Sequence, residues 1–180
     1  MQPRAAGTGP TVREAISGDR KAISDLHVQS WRRAYRGILP DGYLDQAVEG
    51  EFAARWATIF DRGDARDLLL VADDDGQLAG FLYAFRCDDA GGYELDNLHI
   101  APVFQGRGVG TALMRDASRH LVARGAKSVV LYVIEGNDAA CRFYERLGGR
   151  ALAPVAKTLG SLGAVSAIPF RWDDASALGG

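Results

Sequence analysis

The chain has 180 residues, of which 47% are hydrophobic, and this is enough for one domain with a sizeable core. Its formal charge is only −2 at pH 7 and no block of lysine or arginine appears, so nucleic acid is not an expected partner. No stretch approaches the roughly eighteen apolar residues of a membrane span, which argues against a membrane partner.

The first ten residues are polar and glycine-rich, which is typical of a flexible tail and not of a signal sequence. We expect flexible tails at 1–10 and 173–180, a single domain at 11–172, and a soluble, cytoplasmic protein. The two cysteines, Cys87 and Cys141, do not support a disulfide framework, and no Cys/His cluster has metal-ligand spacing. A structural metal is therefore not expected.

The first predicted elements are a short strand at 11–15 and a helix at 19–36, which Gly37 and Pro40 would end. A second helix is predicted at 49–62. In the first helix His27, Trp31 and Tyr35 are spaced i, i+4, i+8 and so lie on one face. Such rings could hold an ammonium group by a cation–π attraction of about 0.5–2 kcal/mol, which makes them candidate substrate-binding residues. Core packing explains them nearly as well.

Two strand-like runs at 67–72 and 77–85 flank an Asp-Gly turn at 73–76, which predicts a β-hairpin. A further strand is predicted at 93–100. After it, Gln105-Gly106-Arg107-Gly108-Val109-Gly110 leads into a helix that begins at Thr111. The free N–H groups and partial positive charge of a helix start favour an anion such as a diphosphate, provided that no side chain obstructs it.

Two familiar phosphate-binding patterns do not fit this loop. No lysine follows Gly110 as a Walker-type loop requires, and neither Gly106 nor Gly108 begins the spacing of a dinucleotide fingerprint. The alternative structural explanation for the three glycines is a backbone with positive φ or a close contact with a neighbouring element.

The remaining predicted elements alternate strand and helix. A β-branched strand at 129–134 lies between the helix after the glycine loop and a helix that contains Tyr144, which predicts at least one parallel strand pair. The segments 151–157 and 165–172 are expected to form a last hairpin.

The loop matches the pattern Gln/Arg-x-x-Gly-x-Gly/Ala, and in this the chain resembles the GCN5-related N-acetyltransferase (GNAT) superfamily. The order of the strand at 93–100, Ala101-Pro102, the loop and the next helix is similar to the family's main cofactor-binding segment. The segment 137–149 is similar to its second cofactor segment, Asn-x-x-Ala-x-x-Phe-Tyr-x-x-x-Gly-Phe. One departure is Gly149, which stands where the family has an aromatic residue.

The resemblance implies an α/β (α+β) fold: a mixed, mostly antiparallel central sheet of six to seven strands with about four helices, in which a parallel, splayed strand pair forms the cofactor cleft. It also implies acetyl-CoA as co-substrate and frequent homodimers. The residues that would contact the cofactor are Leu98, His99, Ile100, Gln105, Gly106, Arg107, Gly108, Val109, Gly110, Thr111, Asn137 and Tyr144. Asn137 is equally a candidate helix N-cap.

Acetyl transfer from a thioester to an amine sets three chemical demands. Glu94 or Asp96, which share a strand face, could accept the amine proton, although both could also be ordinary solvent-facing acids. By resemblance, the Leu98 N–H would stabilise charge on the carbonyl oxygen, and Tyr144 would protonate the departing thiolate. Tyr144 also belongs to an apolar helix stripe, so packing is its alternative role.

We therefore predict an N-acetyltransferase that acts on a primary amine of a small molecule or peptide by direct attack in a ternary complex. Two alternatives remain at this point. One is a non-catalytic domain that binds or senses acyl-CoA, which would not need Tyr144. The other is an enzyme that acetylates a protein N-terminus or lysine.

Overall fold

A computed structural model describes residues 9–88 and 90–180, and these residues form one eight-stranded sheet with four α-helices. The strands are β1 (Thr11–Glu14), β2 (Leu68–Asp74), β3 (Gln77–Arg86), β4 (Gly92–Ile100), β5 (Ser128–Ile134), β6 (Arg150–Ala151), β7 (Val155–Leu159) and β8 (Gly163–Trp172). The helices are α1 (Arg20–Ala34), α2 (Val48–Arg62), α3 (Val109–Ala123) and α4 (Asp138–Arg146), and a π-helical segment at Tyr43–Ala47 leads into α2.

The sheet order is β1-β2-β3-β4-β5-β8-β6, and β7 also pairs with β8. Only β4 and β5 are parallel among these pairs, so the predicted mixed, mostly antiparallel sheet with one parallel pair is confirmed. The described sheet has one or two strands more than expected, because β8 is long enough to pair with two short strands, β6 and β7, along its outer edge.

The turn between β2 and β3 has the predicted hairpin chemistry. Asp75 and Gly76 both adopt positive φ, 53° and 87°, as a two-residue hairpin turn requires. The Gly76 N–H donates to Asp73 Oδ1 at 2.7 Å, which ties the turn to the end of β2.

Helices cover both faces of the sheet. On one face, Trp56 of α2 packs edge-on against Phe81 and Tyr83 of β3. On the other face, Leu113 of α3 is fully buried next to Gly80, where an added Cβ would lie only 3.3 Å from its methyl group. The core therefore lies in two layers, and residues of β3 and β4 alternate between them.

A β-bulge in β4 changes this alternation. Tyr83 pairs with Asn97 and Ala84 with Leu95, so Asp96 is an extra residue with no partner on β3. Because paired residues share a face, Glu94 before the bulge and Asn97 and His99 after it all face α1 and α2. The bulge thus gathers polar side chains of β4 on one side of the sheet.

The C-terminal residues differ from the expectation of a flexible tail at 173–180. Ala175 and Leu178 are fully buried, and the Ser118 hydroxyl of α3 donates to the Ala175 carbonyl at 2.9 Å. Two apolar side chains thus fix this segment against α3. The N-terminal tail expected at 1–10 lies outside the described residues except for Gly9 and Pro10. Within the described ranges, no helix has both the length and the apolar character needed to cross a bilayer.

Candidate active site

The parallel pairing of β4 and β5 is short, and the strands diverge beyond it. The last paired residues are Glu94 and Val130, and past this point a cavity of about 1280 Å³ opens between the two strands. We call its wall formed by residues 104–111 and α4 the loop side, and its wall formed by α1, α2 and the β7–β8 hairpin the α1/α2 side.

The loop side presents the start of α3 without a side-chain cap. Gly108, the N-cap residue, has no side chain, and the first turn contains no acidic residue. The first hydrogen bond of the helix runs from the Ala112 N–H to the Gly108 carbonyl, at 2.9 Å. The N–H groups of residues 109–111 therefore lack helical partners and carry the positive end of the helix dipole.

Each of the three loop glycines has a conformational or packing reason to be glycine. Gly106 and Gly108 have φ values of 73° and 79°, and a Cβ at either would have no atom within 4 Å. A Cβ at Gly110 would lie 3.2 Å from Phe143 Cζ of α4. Backbone conformation or close packing therefore explains all three glycines. At Gly106 and Gly108 the absence of a side chain also leaves open space in front of the helix start.

The edge of β4 that faces the gap offers main-chain groups. Ala101 N–H donates to the Ala79 carbonyl at 2.9 Å, and main-chain groups of an antiparallel strand point alternately toward and away from the partner. By this alternation the N–H and C=O of Leu98 and Ile100 point away from β3, toward the gap. The Ile100 carbonyl accepts a hydrogen bond from Gln105 Nε2 at 3.2 Å.

His99 differs from the expectation that its main chain holds the cofactor. It pairs with Phe81, so by the same alternation its N–H and C=O belong to the β3–β4 ladder. Its side chain, in contrast, lines the cavity on the α1/α2 side. Arg107 is the other exception, because it is not among the residues that line the cavity and its guanidinium lies 5.7 Å from the centre of the Phe104 ring.

Tyr144 of α4 lies in the cavity wall and is 8% exposed. Its ring packs against Phe170 and Trp172 of β8. Burial, with a smaller contribution from the nearby Tyr35, raises the pKa of Tyr144 well above its usual value of 10. The phenol therefore keeps its proton at neutral pH and can act as a hydrogen-bond or proton donor.

Trp172 also explains the departure from the family pattern at Gly149. A Cβ at Gly149 would lie 2.7 Å from Trp172 Cζ2, so the indole fills the space next to this residue. The indole N–H donates to the Leu147 carbonyl at 2.9 Å and so fixes the end of α4. An aromatic side chain of β8 thus occupies the space that a side chain at residue 149 would need.

Asn137 is the N-cap of α4, because its Oδ1 accepts the Ala140 N–H at 3.3 Å. Its side chain also hydrogen-bonds the Tyr35 phenol, whose pKa is nevertheless raised because burial outweighs this contact. Tyr35 therefore reaches across the cavity to α4. The predicted stripe His27, Trp31 and Tyr35 lines the cavity, and the Trp31 ring contacts both neighbours, with centroid distances of 5.7 Å to His27 and 4.7 Å to Tyr35.

His27 forms the floor of the α1/α2 side and is 2% exposed. Its ring stacks on Phe52 with 3.7 Å between centroids, and Trp56 Nε1 donates to its Nδ1 at 3.1 Å. An indole N–H only donates, so Nδ1 carries no proton and the neutral ring is protonated at Nε2. This Nε2 is buried and has no hydrogen-bond partner within residues 9–88 and 90–180. Burial lowers the pKa of His27 well below 6.5, which keeps the ring neutral.

The His99 side chain lies beside His27, with 4.7 Å between ring centroids. Its Nδ1 is 2.8 Å from the Ser30 hydroxyl oxygen. Burial lowers the pKa of His99 to about 3, so this ring is neutral as well. Both imidazoles can therefore bind neutral polar groups, but neither carries charge at neutral pH.

The two candidate bases share one face, as predicted, and each is paired with a cation. Glu94 Oε1 is 3.1 Å from Lys157 Nζ, which also lies 3.8 Å from the centre of the Tyr132 ring. Asp96 pairs with Arg55. Burial raises the pKa of Asp96, and Arg55 offsets only part of that rise.

Several cavity residues were not predicted from the sequence. They are Ser30, Tyr43, Glu51, Arg55, Asn97, Tyr132 and Lys157. Glu51 and Arg55 lie on a helix where charges are ordinary surface residues, so they give no sequence signal. Asn97 lies in a strand that already contains Glu94 and Asp96, so it gives no clear signal either; it is buried, and its Oδ1 has no hydrogen-bond partner among the described residues.

Sequence comparison assigns the family. A profile described as the Acetyltransferase (GNAT) family matches residues 25–149, which include the loop side of the cavity and α2, but not the β7–β8 hairpin. The chain therefore belongs to the GNAT family of acetyltransferases. It is 29% identical over 171 residues to the uncharacterized N-acetyltransferase YuaI of Bacillus subtilis, an alignment that covers 93% of this chain and 95% of that protein.

A second relative is mycothiol acetyltransferase of Streptomyces scabiei, 34% identical over 135 residues, where the alignment covers 62% of this chain but only 44% of that protein. Among solved structures, PaiA N-acetyltransferase of Thermoplasma acidophilum in complex with coenzyme A has the same fold. The TM-score is 0.73 at 18% identity, with 92% of this chain and 100% of that chain covered. YncA of Salmonella typhimurium, solved with acetyl-CoA, has a TM-score of 0.67 at 20% identity and covers 92% and 94% of the two chains.

Proposed function

We propose that the protein transfers an acetyl group from acetyl-CoA to a primary amine of a small molecule or peptide, by direct attack in a ternary complex. The main support for this proposal is a single cavity whose wall contains the uncapped start of α3, the unpaired edge of β4 and the protonated Tyr144. The two structures named above, solved with coenzyme A and acetyl-CoA, support the choice of co-substrate.

The loop side fits the diphosphate of this co-substrate. Three N–H groups at the start of α3 have no helical partner, and a Cβ at Gly106 or Gly108 would meet no protein atom, so an anion can approach the main chain. Leu98 and Ile100 offer main-chain groups that would pair with the amides of the pantetheine arm as an added strand does.

The reaction joins the amine nitrogen to the thioester carbonyl carbon and breaks the carbon–sulfur bond. Leu98 N–H would stabilise the charge that develops on the carbonyl oxygen, and one such preorganised donor is typically worth about 3 kcal/mol. Tyr144 would donate a hydrogen bond or proton to the departing sulfur, since its phenol is protonated at neutral pH. The attacking amine must in turn lose one proton.

For that proton we favour Asp96 over Glu94. Both carboxylates lie on the α1/α2 side, but burial raises the pKa of Asp96 above its ordinary value, which makes it a stronger base than an exposed aspartate. Both carboxylates are paired with a cation, Glu94 with Lys157 and Asp96 with Arg55, so the ion pairs do not distinguish them and the preference rests on burial. Transfer through a water molecule is compatible with either residue.

The proposal is tested by incubating the purified protein with acetyl-CoA and a panel of amines and peptides, with products identified by mass spectrometry. We expect an acetylated amine and free CoA in equal amounts. Binding of CoA without any acetylated product would support a sensing domain instead. Acetylation restricted to peptide or protein substrates would support a protein-modifying enzyme. No binding of CoA in calorimetry would contradict all three functions.

A further inference from the structure

Glu51 differs from the other carboxylates on the α1/α2 side. Glu94 and Asp96 are paired with Lys157 and Arg55, but no described cation lies within ion-pair distance of Glu51. Arg55 lies one helical turn further along α2, and its guanidinium is bound to Asp96. The three carboxylates and two cations leave this side of the cavity with a net charge of −1. The remaining charged cavity residue, Arg146, lies on α4 of the loop side.

The contacts of Glu51 come from neutral donors. The Tyr43 hydroxyl donates to Oε2 at 2.9 Å, and the Ser161 N–H donates to Oε1 at 3.0 Å. These bonds and the Ser161 hydroxyl outweigh the effect of burial and lower the pKa of Glu51. The carboxylate is therefore ionised at neutral pH, partly buried, and without a counter-charge among the described residues. The carboxylate therefore gives this part of the cavity a negative charge that would attract a cation.

The surroundings of Glu51 are suited to an organic cation. Trp31, Tyr43 and Phe52 line the cavity next to it, and aromatic rings attract ammonium groups. Two further buried atoms in the same wall lack partners: His27 Nε2, a donor, and Asn97 Oδ1, an acceptor. Among these atoms, the Asn97 oxygen is an acceptor that an ammonium N–H or an ordered water in the cavity would satisfy.

We propose that Glu51 binds a second positively charged group of the acceptor, so that the preferred substrate is a primary amine carrying another cation at its far end. The reacting amine must be neutral when it attacks, and therefore it cannot be the group that satisfies Glu51 throughout the reaction. This inference rests on the proposed acetyl transfer, because it assigns one end of the acceptor in that reaction.

The test compares cadaverine with aminopentanol, which replaces the second amine of the same chain by a hydroxyl group. We expect kcat/KM to be about tenfold higher for cadaverine, as is typical of one charge-assisted contact. In Glu51→Gln this ratio should fall toward one. Gln keeps an acceptor for the Ser161 N–H and can donate to the Tyr43 oxygen, so the substitution removes the charge while it preserves both contacts. A ratio near one in the wild-type protein, or an unchanged ratio in Glu51→Gln, would overturn the inference.

Tyr43→Phe is the matched control, because it removes a hydrogen bond to Glu51 but leaves the carboxylate charge. This variant should retain the preference for cadaverine. A binding measurement separates the two proposals: calorimetry of cadaverine with the CoA-bound protein should show about tenfold weaker binding for Glu51→Gln. If no amine is acetylated but this difference in binding is found, the transfer reaction fails and the cation site stands. If cadaverine binds equally to both proteins, or to neither, the cation site is wrong.

Discussion

The two walls of the cavity are built from different chemical groups. The loop side consists mainly of main-chain N–H and C=O groups, presented by the start of α3 and the free edge of β4. The α1/α2 side consists of side chains from α1, α2, β4 and β7, most of them held by hydrogen bonds or ion pairs. A main-chain site depends on backbone conformation, whereas a side-chain site depends on individual residues. A main-chain site can therefore serve a ligand that a whole family binds, and a side-chain site can differ from one family member to another.

The largest effect is expected from a side chain placed in the main-chain site. Gly108→Val forces a β-branched residue to φ of 79° and fills the open space before α3. Loss of about two charge-assisted hydrogen bonds, roughly 4 kcal/mol, should weaken CoA binding about a thousandfold in calorimetry. Gly63→Val is the control, because Gly63 also has positive φ, 54°, but ends α2 outside the cavity lining. Equal loss of CoA affinity in both variants would show that general strain is responsible.

The next largest effect concerns Tyr144, which lies where the two walls meet. Tyr144→Phe removes the proton donor but keeps the ring, so kcat should fall about a hundredfold while the Kd of CoA remains similar. Tyr132→Phe removes another cavity-lining phenol, whose ring contacts Lys157, and should reduce kcat by a few fold at most. Full activity of Tyr144→Phe would mean that Tyr144 serves in packing only.

A smaller effect is expected for the candidate bases. Glu94→Gln and Asp96→Asn should each lower kcat/KM by about tenfold or less, since water can accept the amine proton in place of the missing carboxylate. A carboxylate acts as a base only above its pKa, and burial raises that of Asp96, so activity should rise with pH above the usual range for aspartate. Asp96→Asn should remove this rise in a pH–rate profile. If Glu94→Gln removes it instead, Glu94 is the base.

The last prediction concerns stability instead of binding or catalysis. The pKa of His99 is about 3 in the folded protein and 6.5 when exposed, so between these values the unfolded chain binds the extra proton. The free energy of unfolding should therefore decrease as pH falls from 6.5 toward 3, by about 1.4 kcal/mol per pH unit for one such group. His99→Asn should reduce this slope in denaturant titrations and leave the contribution of the buried His27, while His120→Asn, on the partly exposed surface of α3, should retain the full slope. Equal slopes for both variants and the wild type would contradict the assignment.

The sequence predicts the loop side better than the α1/α2 side for a physical reason. Glycine spacing, a strand before the loop and Asn137 before a helix are local patterns that determine local backbone geometry, and the structure contains all three. The helix boundaries also agree closely: α2 begins at Val48, one residue before the predicted start, and ends at Arg62 as predicted.

Side-chain pairs between distant segments leave no such local pattern. Glu51 and Ser161 are far apart in sequence, as are Glu94 and Lys157, and only the folded sheet brings them together. The packed C-terminal segment was missed for the same reason, because Ala175 and Leu178 become buried only when α3 is in place. The roles of the individual site residues remain predictions that the experiments above address.

Asp96, the extra residue of the bulge in β4, interrupts the alternation of side chains between the two faces of the sheet. If Asp96 instead took a regular place in the ladder opposite Tyr83, every residue after it would exchange sides, so Asn97 and His99 would point into the hydrophobic layer under α3 while Leu98 and Ile100 would face α1 and α2. Loss of the bulge at constant strand length would thus invert the polarity of half a strand. Deletion of Asp96 removes only the unpaired residue and should leave the sides of Asn97 and His99 unchanged, whereas insertion of one further paired residue should exchange them.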